Sequence, residues 1–129
     1  MAGRRLLDTN SVIAFFRRDR AIHARMEQLD ECFMSTIVVG ELLYGALHSS
    51  RATENIARVE SFAMSVTVLP CDLQSAAEYG RIKHELRLNG TPIPENDIWI
   101  ASVAAQHNLT VLSNDKHFDL VAQLQREGW

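Results

Sequence analysis

Leu6-Leu7-Asp8-Thr9-Asn10-Ser11-Val12-Ile13-Ala14-Phe15-Phe16 joins two kinds of element with one acid between them. Leu6-Leu7 reads as the end of a short buried strand. Ser11 to Phe16 reads as the start of a helix that Asn10 or Ser11 can cap. The alternation continues along the chain. Helices are predicted from about Ala21 to Asp30, from Thr36 as cap to about Ser49, and from Thr53 to Met64. Two more are predicted from Ser75 to Leu88, stopped by Asn89-Gly90, and from Glu95 to His107, stopped by Asn108. Cys32-Phe33-Met34, Val66 to Leu69 before Pro70, and Thr110 to Ser113 are strand-like. Strands alternating with helices predict an α/β domain with a mostly parallel central sheet.

The 129 residues fit a single domain spanning 1–129, and 47% hydrophobic content is enough for a continuous core. Lys and Arg number 13 against 16 Asp and Glu, a formal charge of −3. This excludes a protein that holds nucleic acid by bulk electrostatics. It leaves room for a nucleic-acid enzyme whose acids gather at a metal. Cys32 and Cys71 form neither a disulfide framework nor a CxxC zinc pair, which points to a reduced, cytoplasmic setting. Met1-Ala2-Gly3-Arg4-Arg5 resembles the charged start of a leader, but Asp8 and Asn10 interrupt the apolar run that a leader needs. No stretch has the roughly 20 apolar residues of a membrane span.

Four carboxylates stand in informative places. Asp8 follows the first strand and Asp115 follows Thr110–Ser113, both at carboxyl ends of strands, where open α/β sheets bind ligands. Each can also be a turn or cap residue. Glu41 lies on the helical stretch Ile37 to Leu47, which is apolar in nearly every direction and so is expected to be buried. A carboxylate there requires a salt bridge to an arginine, a proton or a metal. Asp97 shares an inward face with Ile100, Ala101, Ala104 and Ala105, with Ser102 and Gln106 on the other side. Its place near a helix N-terminus also fits a purely structural role, although Glu95 suits that role better. Two carboxylates about 4 Å apart repel by roughly 4 kcal/mol at an effective dielectric near 20. Three or four together therefore call for a cation, and oxygen-only ligands suit Mg²⁺ or Mn²⁺. Such an ion can activate water for phosphodiester cleavage.

Four segments carry a resemblance over nearly the whole chain. They are Leu7-Asp8-Thr9-Asn10, Ser35-Thr36 leading to Glu41-Leu42 and Gly45, Asn96-Asp97 followed by Ile100-Ala101 and Ala104, and Val111-Leu112-Ser113-Asn114-Asp115 followed by Phe118. In this order and spacing the chain resembles a PIN-domain ribonuclease, specifically a VapC-type toxin of a toxin–antitoxin pair. The resemblance implies a three-layer α/β fold, a central mostly parallel sheet flanked by helices. It implies a metal-dependent endoribonuclease with Asp8, Glu41, Asp97 and Asp115 as its acidic quartet. Asp8 and Asp97 would be the main metal ligands, with Asp115 completing the pocket or binding a second ion. Glu41 would hold a ligand water or act on the attacking water. Thr9, Asn10 and Ser113 would donate hydrogen bonds to these carboxylates or to the phosphate. A small inhibitory antitoxin and a homodimer are further implications. Asp119, one helical turn beyond Asp115, is the alternative fourth acid.

The remaining polar groups carry less. His23, His48, His84, His107 and His117 form no HExxH motif and are expected to be solvated, with His117 near enough to Asp115 to touch RNA. Arg17, Arg18, Arg20 and Arg25 form one basic cluster, and Arg81, Lys83 and Arg87 another. Each is either a solvated face or a guide for the RNA backbone. Tyr44, Leu43 and Leu47 give an apolar side explained by core packing or by a dimer or antitoxin surface. Competing functions are a housekeeping PIN-type nuclease and a non-catalytic, metal-dependent α/β binding module. The chain has no GK[ST] phosphate loop, no DxD and no nucleophile elbow.

Overall fold

The computed structural model describes residues 3–129; Met1 and Ala2, part of the leader-like opening, lie outside the described residues. Five strands form one sheet, β1 (Arg4–Leu7), β2 (Glu31–Ser35), β3 (Thr67–Leu69), β4 (Thr110–Leu112) and β5 (Arg126–Glu127), in the order β3-β2-β1-β4-β5. Every neighbouring pair is parallel, with Leu7 opposite Met34 on one side and Leu112 on the other. Parallel strands need both faces covered. The central ones accordingly bury Leu6, Leu7, Phe33, Met34, Val111 and Leu112. The sheet is flanked by α1 (Thr9–Phe16), α2 (Arg20–Glu27), α3 (Thr36–Leu47), α4 (Ala52–Ser65), α5 (Leu73–Leu88) and α6 (Glu95–His107). A 3₁₀ turn covers Lys116–Leu120.

Several local expectations need correction. The first helix is capped by Asp8 itself, whose side chain accepts from the Ser11 amide, so neither Asn10 nor Ser11 is the cap. Ser35 rather than Thr36 caps α3. The second helix stops at Glu27 rather than near Asp30. Chain continuity explains the shift: β2 is already paired at Glu31, so the helix must end early enough to turn. Helix α3 is not buried all round. It buries only the Val38, Leu42 and Ala46 stripe, and leaves Tyr44 and Leu47 about two-thirds exposed. Helix α6 differs in the opposite sense. Ser102, expected on the outer side, is fully buried and donates to the Ile98 carbonyl at 2.6 Å. Gln106 also turns inward, bonding Ser75 and Asp72 of the α5 cap. A hydroxyl that satisfies itself on its own helix can be buried among alanines at little cost.

The C-terminal strand β5 was not anticipated. Two charged residues carry no strand periodicity. Tertiary contacts hold it: the Ser113 amide donates to the Glu127 carbonyl at 2.9 Å, and the Glu127 carboxylate pairs with Arg5 at 2.7 Å and with Arg25. Chain direction through the sheet reverses at β1, with β2 and β3 stacking to one side and β4 and β5 to the other. The crevice beyond the carboxyl ends of β1 and β4 lies at that reversal, the usual ligand position in such sheets.

Candidate active site

Asp8 leaves β1 directly into this crevice and is 3% exposed. Its Oδ1 accepts from the Ser11 amide at 2.8 Å, and its Oδ2 accepts from the Ser113 hydroxyl. Burial raises the Asp8 pKa; the donors from Ser113 and Ser11 oppose the rise, and the charge of Asp115 adds to it. Ser113, fully buried after β4, serves both acids, because its Oγ also accepts from the Asp115 amide at 2.9 Å. Asp115 then caps the 3₁₀ turn, accepting from the His117 amide at 2.9 Å.

Asp97 enters from the first turn of α6, where the positive end of the helix dipole favours an anion. Its pKa is nevertheless raised to about 6. Burial is the main cause, followed by repulsion from Asp115; His117 opposes the rise, and Asp8 and Glu41 add to it. All four predicted acids are therefore close enough to act on one group. Glu41 arrives from α3. The salt bridge to an arginine, one of the alternatives for this carboxylate, is absent among the described residues. Thr9 Oγ1 donates to Oε1 at 2.6 Å and Asn96 Nδ2 donates to Oε2 at 3.1 Å. Because Thr9 follows Asp8 and Asn96 precedes Asp97, these two donors fasten Glu41 to both neighbouring acids.

The structure adds two residues to the expected set. Asn96 was read only as part of a motif, without a role. His117, expected to be solvated, turns Nδ1 to within 3.0 Å of Asp115 Oδ1 and 3.6 Å of Asp97 Oδ2. One ligand atom from each of Asp97, Asp115 and His117 lies within 4.8 Å of the others. The position of His117, two residues past Asp115 on a tight turn, was the available signal. Asn10, expected among the donors, is exposed and makes no side-chain hydrogen bond among the described residues. The alternative acid Asp119 is engaged elsewhere, in a two-point pair with Arg126 at 2.8 and 3.0 Å.

No Lys or Arg side chain forms a salt bridge with Asp8, Glu41, Asp97 or Asp115 among the described residues. Carboxylates crowded without a fixed cation, with Asp97 held above its ordinary range, fit a hard divalent metal ion. The His117 imidazole adds a nitrogen donor that Mn²⁺ accepts more readily than Mg²⁺.

Comparisons with known proteins bear on the chain as a whole. The PIN domain family model matches residues 5–124. Ribonuclease VapC2 of Haemophilus influenzae is 40% identical over 127 residues, covering 96% of each chain. The tRNA(fMet)-specific endonuclease VapC of Salmonella typhimurium is 34% identical over 128 residues, again covering 96% of each. Among solved structures, DNA-bound VapBC from Salmonella typhimurium superposes with a TM-score of 0.91 at 32% identity, covering 100% of this chain and 99% of that one. VapBC2 from Rickettsia felis, bound to a promoter DNA fragment, gives 0.91 at 27% identity and 98% coverage of both.

Proposed function

Because this chain belongs to the PIN-domain family, we propose that it is the toxin of a toxin–antitoxin pair, an endoribonuclease that hydrolyses RNA phosphodiester bonds with Mg²⁺ or Mn²⁺. The observation that carries the reading is the convergence of acids from four separate segments at the reversal of the sheet, without a fixed cation among them.

In this reading Asp8, Asp97 and Asp115 hold the metal. When bound, the ion supplies charge neutralisation at the phosphate and lowers the pKa of a water. Ser113 and the Ser11 amide fix both oxygens of Asp8, so its carboxylate is oriented before any ligand arrives. Glu41 takes the proton of the attacking water, and the Thr9 and Asn96 donors hold its carboxylate toward the crevice.

The antitoxin partner is supported by the relatives, whose solved structures include members of the VapBC family of toxin–antitoxin systems. A small antitoxin covers the site, and a second copy of the chain makes a homodimer. The exposed Tyr44 and Leu47 on α3 supply an apolar surface for one of these contacts. Cytoplasmic action fits the two free cysteines. No helix among the described residues is long and apolar enough to cross a membrane.

The test incubates the purified protein with total RNA and with single-stranded DNA, each with Mg²⁺, Mn²⁺ or EDTA, beside Asp97→Asn. RNA cleavage that needs the metal and disappears in the variant is the expected result. Cleavage surviving both EDTA and the substitution refutes the quartet, and absence of cleavage by folded, partner-free protein on every RNA favours a binding module.

A further inference from the structure

The basic side chains of this acidic protein are unevenly occupied. Arg4, Arg5, Arg25, Arg51, Arg81, Lys83 and Arg126 are in salt bridges. Both predicted basic clusters are thereby reduced: Arg25 is taken by Glu127, and Arg81 and Lys83 by Glu78, Glu85 and Glu95. Among the described residues Arg17, Arg18, Arg20, Arg58, Arg87 and Lys116 make no salt bridge. Three of these share one flank, Arg17 and Arg18 at the end of α1 and Arg58 in the middle of α4.

Two adjoining clefts run along that flank. One, about 320 Å³, is lined by Glu41, Gly45, Phe16, Arg17, Asn55 and Arg58 among others. The next, about 500 Å³, shares Phe16 and Arg58 and adds Arg18 and His23. Glu41 belongs to the acidic site, so the first cleft opens from it. The Arg58 guanidinium lies 5.4 Å from the centroid of the Phe16 ring, which packs edge-on against Phe62 at 5.6 Å. That stacking holds Arg58 over the cleft and lowers the entropy cost of using it.

We propose that these two clefts form the track for the phosphate backbone of the substrate RNA, with Arg17 and Arg58 contacting successive phosphates beside Glu41. The proposal rests on the nuclease reading above. Charge complementarity carries it. A chain of net charge −3 with clustered carboxylates repels a polyanion, so the substrate needs a local run of uncompensated cations leading to those carboxylates.

The test measures equilibrium binding of fluorescently labelled bulk tRNA between 50 and 200 mM KCl. Every sample carries Asp97→Asn to stop cleavage, and circular-dichroism melts verify folding. The arms are the parent, Arg17→Gln, Arg58→Gln, the double variant, and Arg87→Gln on α5 as control. Each lost phosphate contact lowers the slope of log affinity against log salt by about 0.7–0.9. Over this fourfold salt range the parent is expected to lose about tenfold more affinity than the double variant, and the control to follow the parent. A double variant that keeps the parent slope overturns the proposal and leaves the clefts to a protein segment. Failure of the nuclease reading itself looks different: no sample binds tRNA and the unsubstituted protein cleaves no RNA, which removes both.

Discussion

Asp97→Asn is expected to make the metal-free protein more stable while it abolishes cleavage. The substitution keeps shape and removes one charge from the crowded site. Asp97 titrates near 6 rather than at 3.8, from burial first and then from Asp115. At about 1.4 kcal/mol per unit this shift is worth about 3 kcal/mol. Its side chain is only 19% exposed, so solvent screening leaves most of that intact. The sign is fixed by which state holds the proton more tightly. The folded state does, so stability is fully present below about pH 4 and is lost as pH rises through 6. Roughly half of the loss has occurred by pH 5. Urea unfolding in EDTA at pH 5 and pH 8 measures it. The variant should gain about 3 kcal/mol at pH 8, roughly 10 °C in Tm, and about half as much at pH 5. Mn²⁺ should then stabilise the unsubstituted protein and leave the variant almost unchanged. An equal gain at both pH values, or no gain, refutes the burial and crowding of the Asp97 charge as a reason for a metal there.

Ser113→Ala removes the side-chain donor of buried Asp8 and the acceptor of the Asp115 amide, and should cost about 2–3 kcal/mol in urea unfolding at pH 8. Thr9→Val combined with Asn96→Ala frees Glu41 from both neighbours; kcat for RNA cleavage should fall about 10–100-fold with KM little changed, and a change confined to KM would contradict a positioning role. Asp119→Asn, which breaks only the exposed Arg126 pair, should retain cleavage, whereas Asp115→Asn should lose it. Equal losses in these two variants would move the fourth acid one turn along the chain.

Much of the site could be read from residue type and spacing. Asp8 and Asp115 follow strands recognisable from short apolar runs, and Asp97 follows a proline-bounded helix start. Glu41 was identified for a reason that the structure alters. Its helix is not wrapped in core all round; Tyr44 and Leu47 face outward, while Ile37, Val39 and Leu43 are only partly buried. The carboxylate is instead tied down by Thr9 and Asn96, which no periodicity reveals. His117 belongs to no HExxH motif, so its sequence context gives a solvated ring. A tight 3₁₀ turn, with no apolar period to announce it, swings the ring back toward Asp115 and Asp97.

Local chemistry determined the elements other than β5 and the 3₁₀ turn. Alternating apolar runs, caps within three residues and the stop at Asn108, which adopts the left-handed conformation, are short-range properties that survive without tertiary context. They were sufficient for an α/β chain with acids at strand ends. The tertiary structure alone decided which groups meet. The Ser113 to Asp8 bond spans 105 positions, the Asn96 to Glu41 bond 55, and the Arg5 to Glu127 pair that anchors β5 spans 122. These partners are brought together by the order of the strands and the reversal at β1, because a hydrogen bond depends on distance in space and a local pattern reports only distance along the chain.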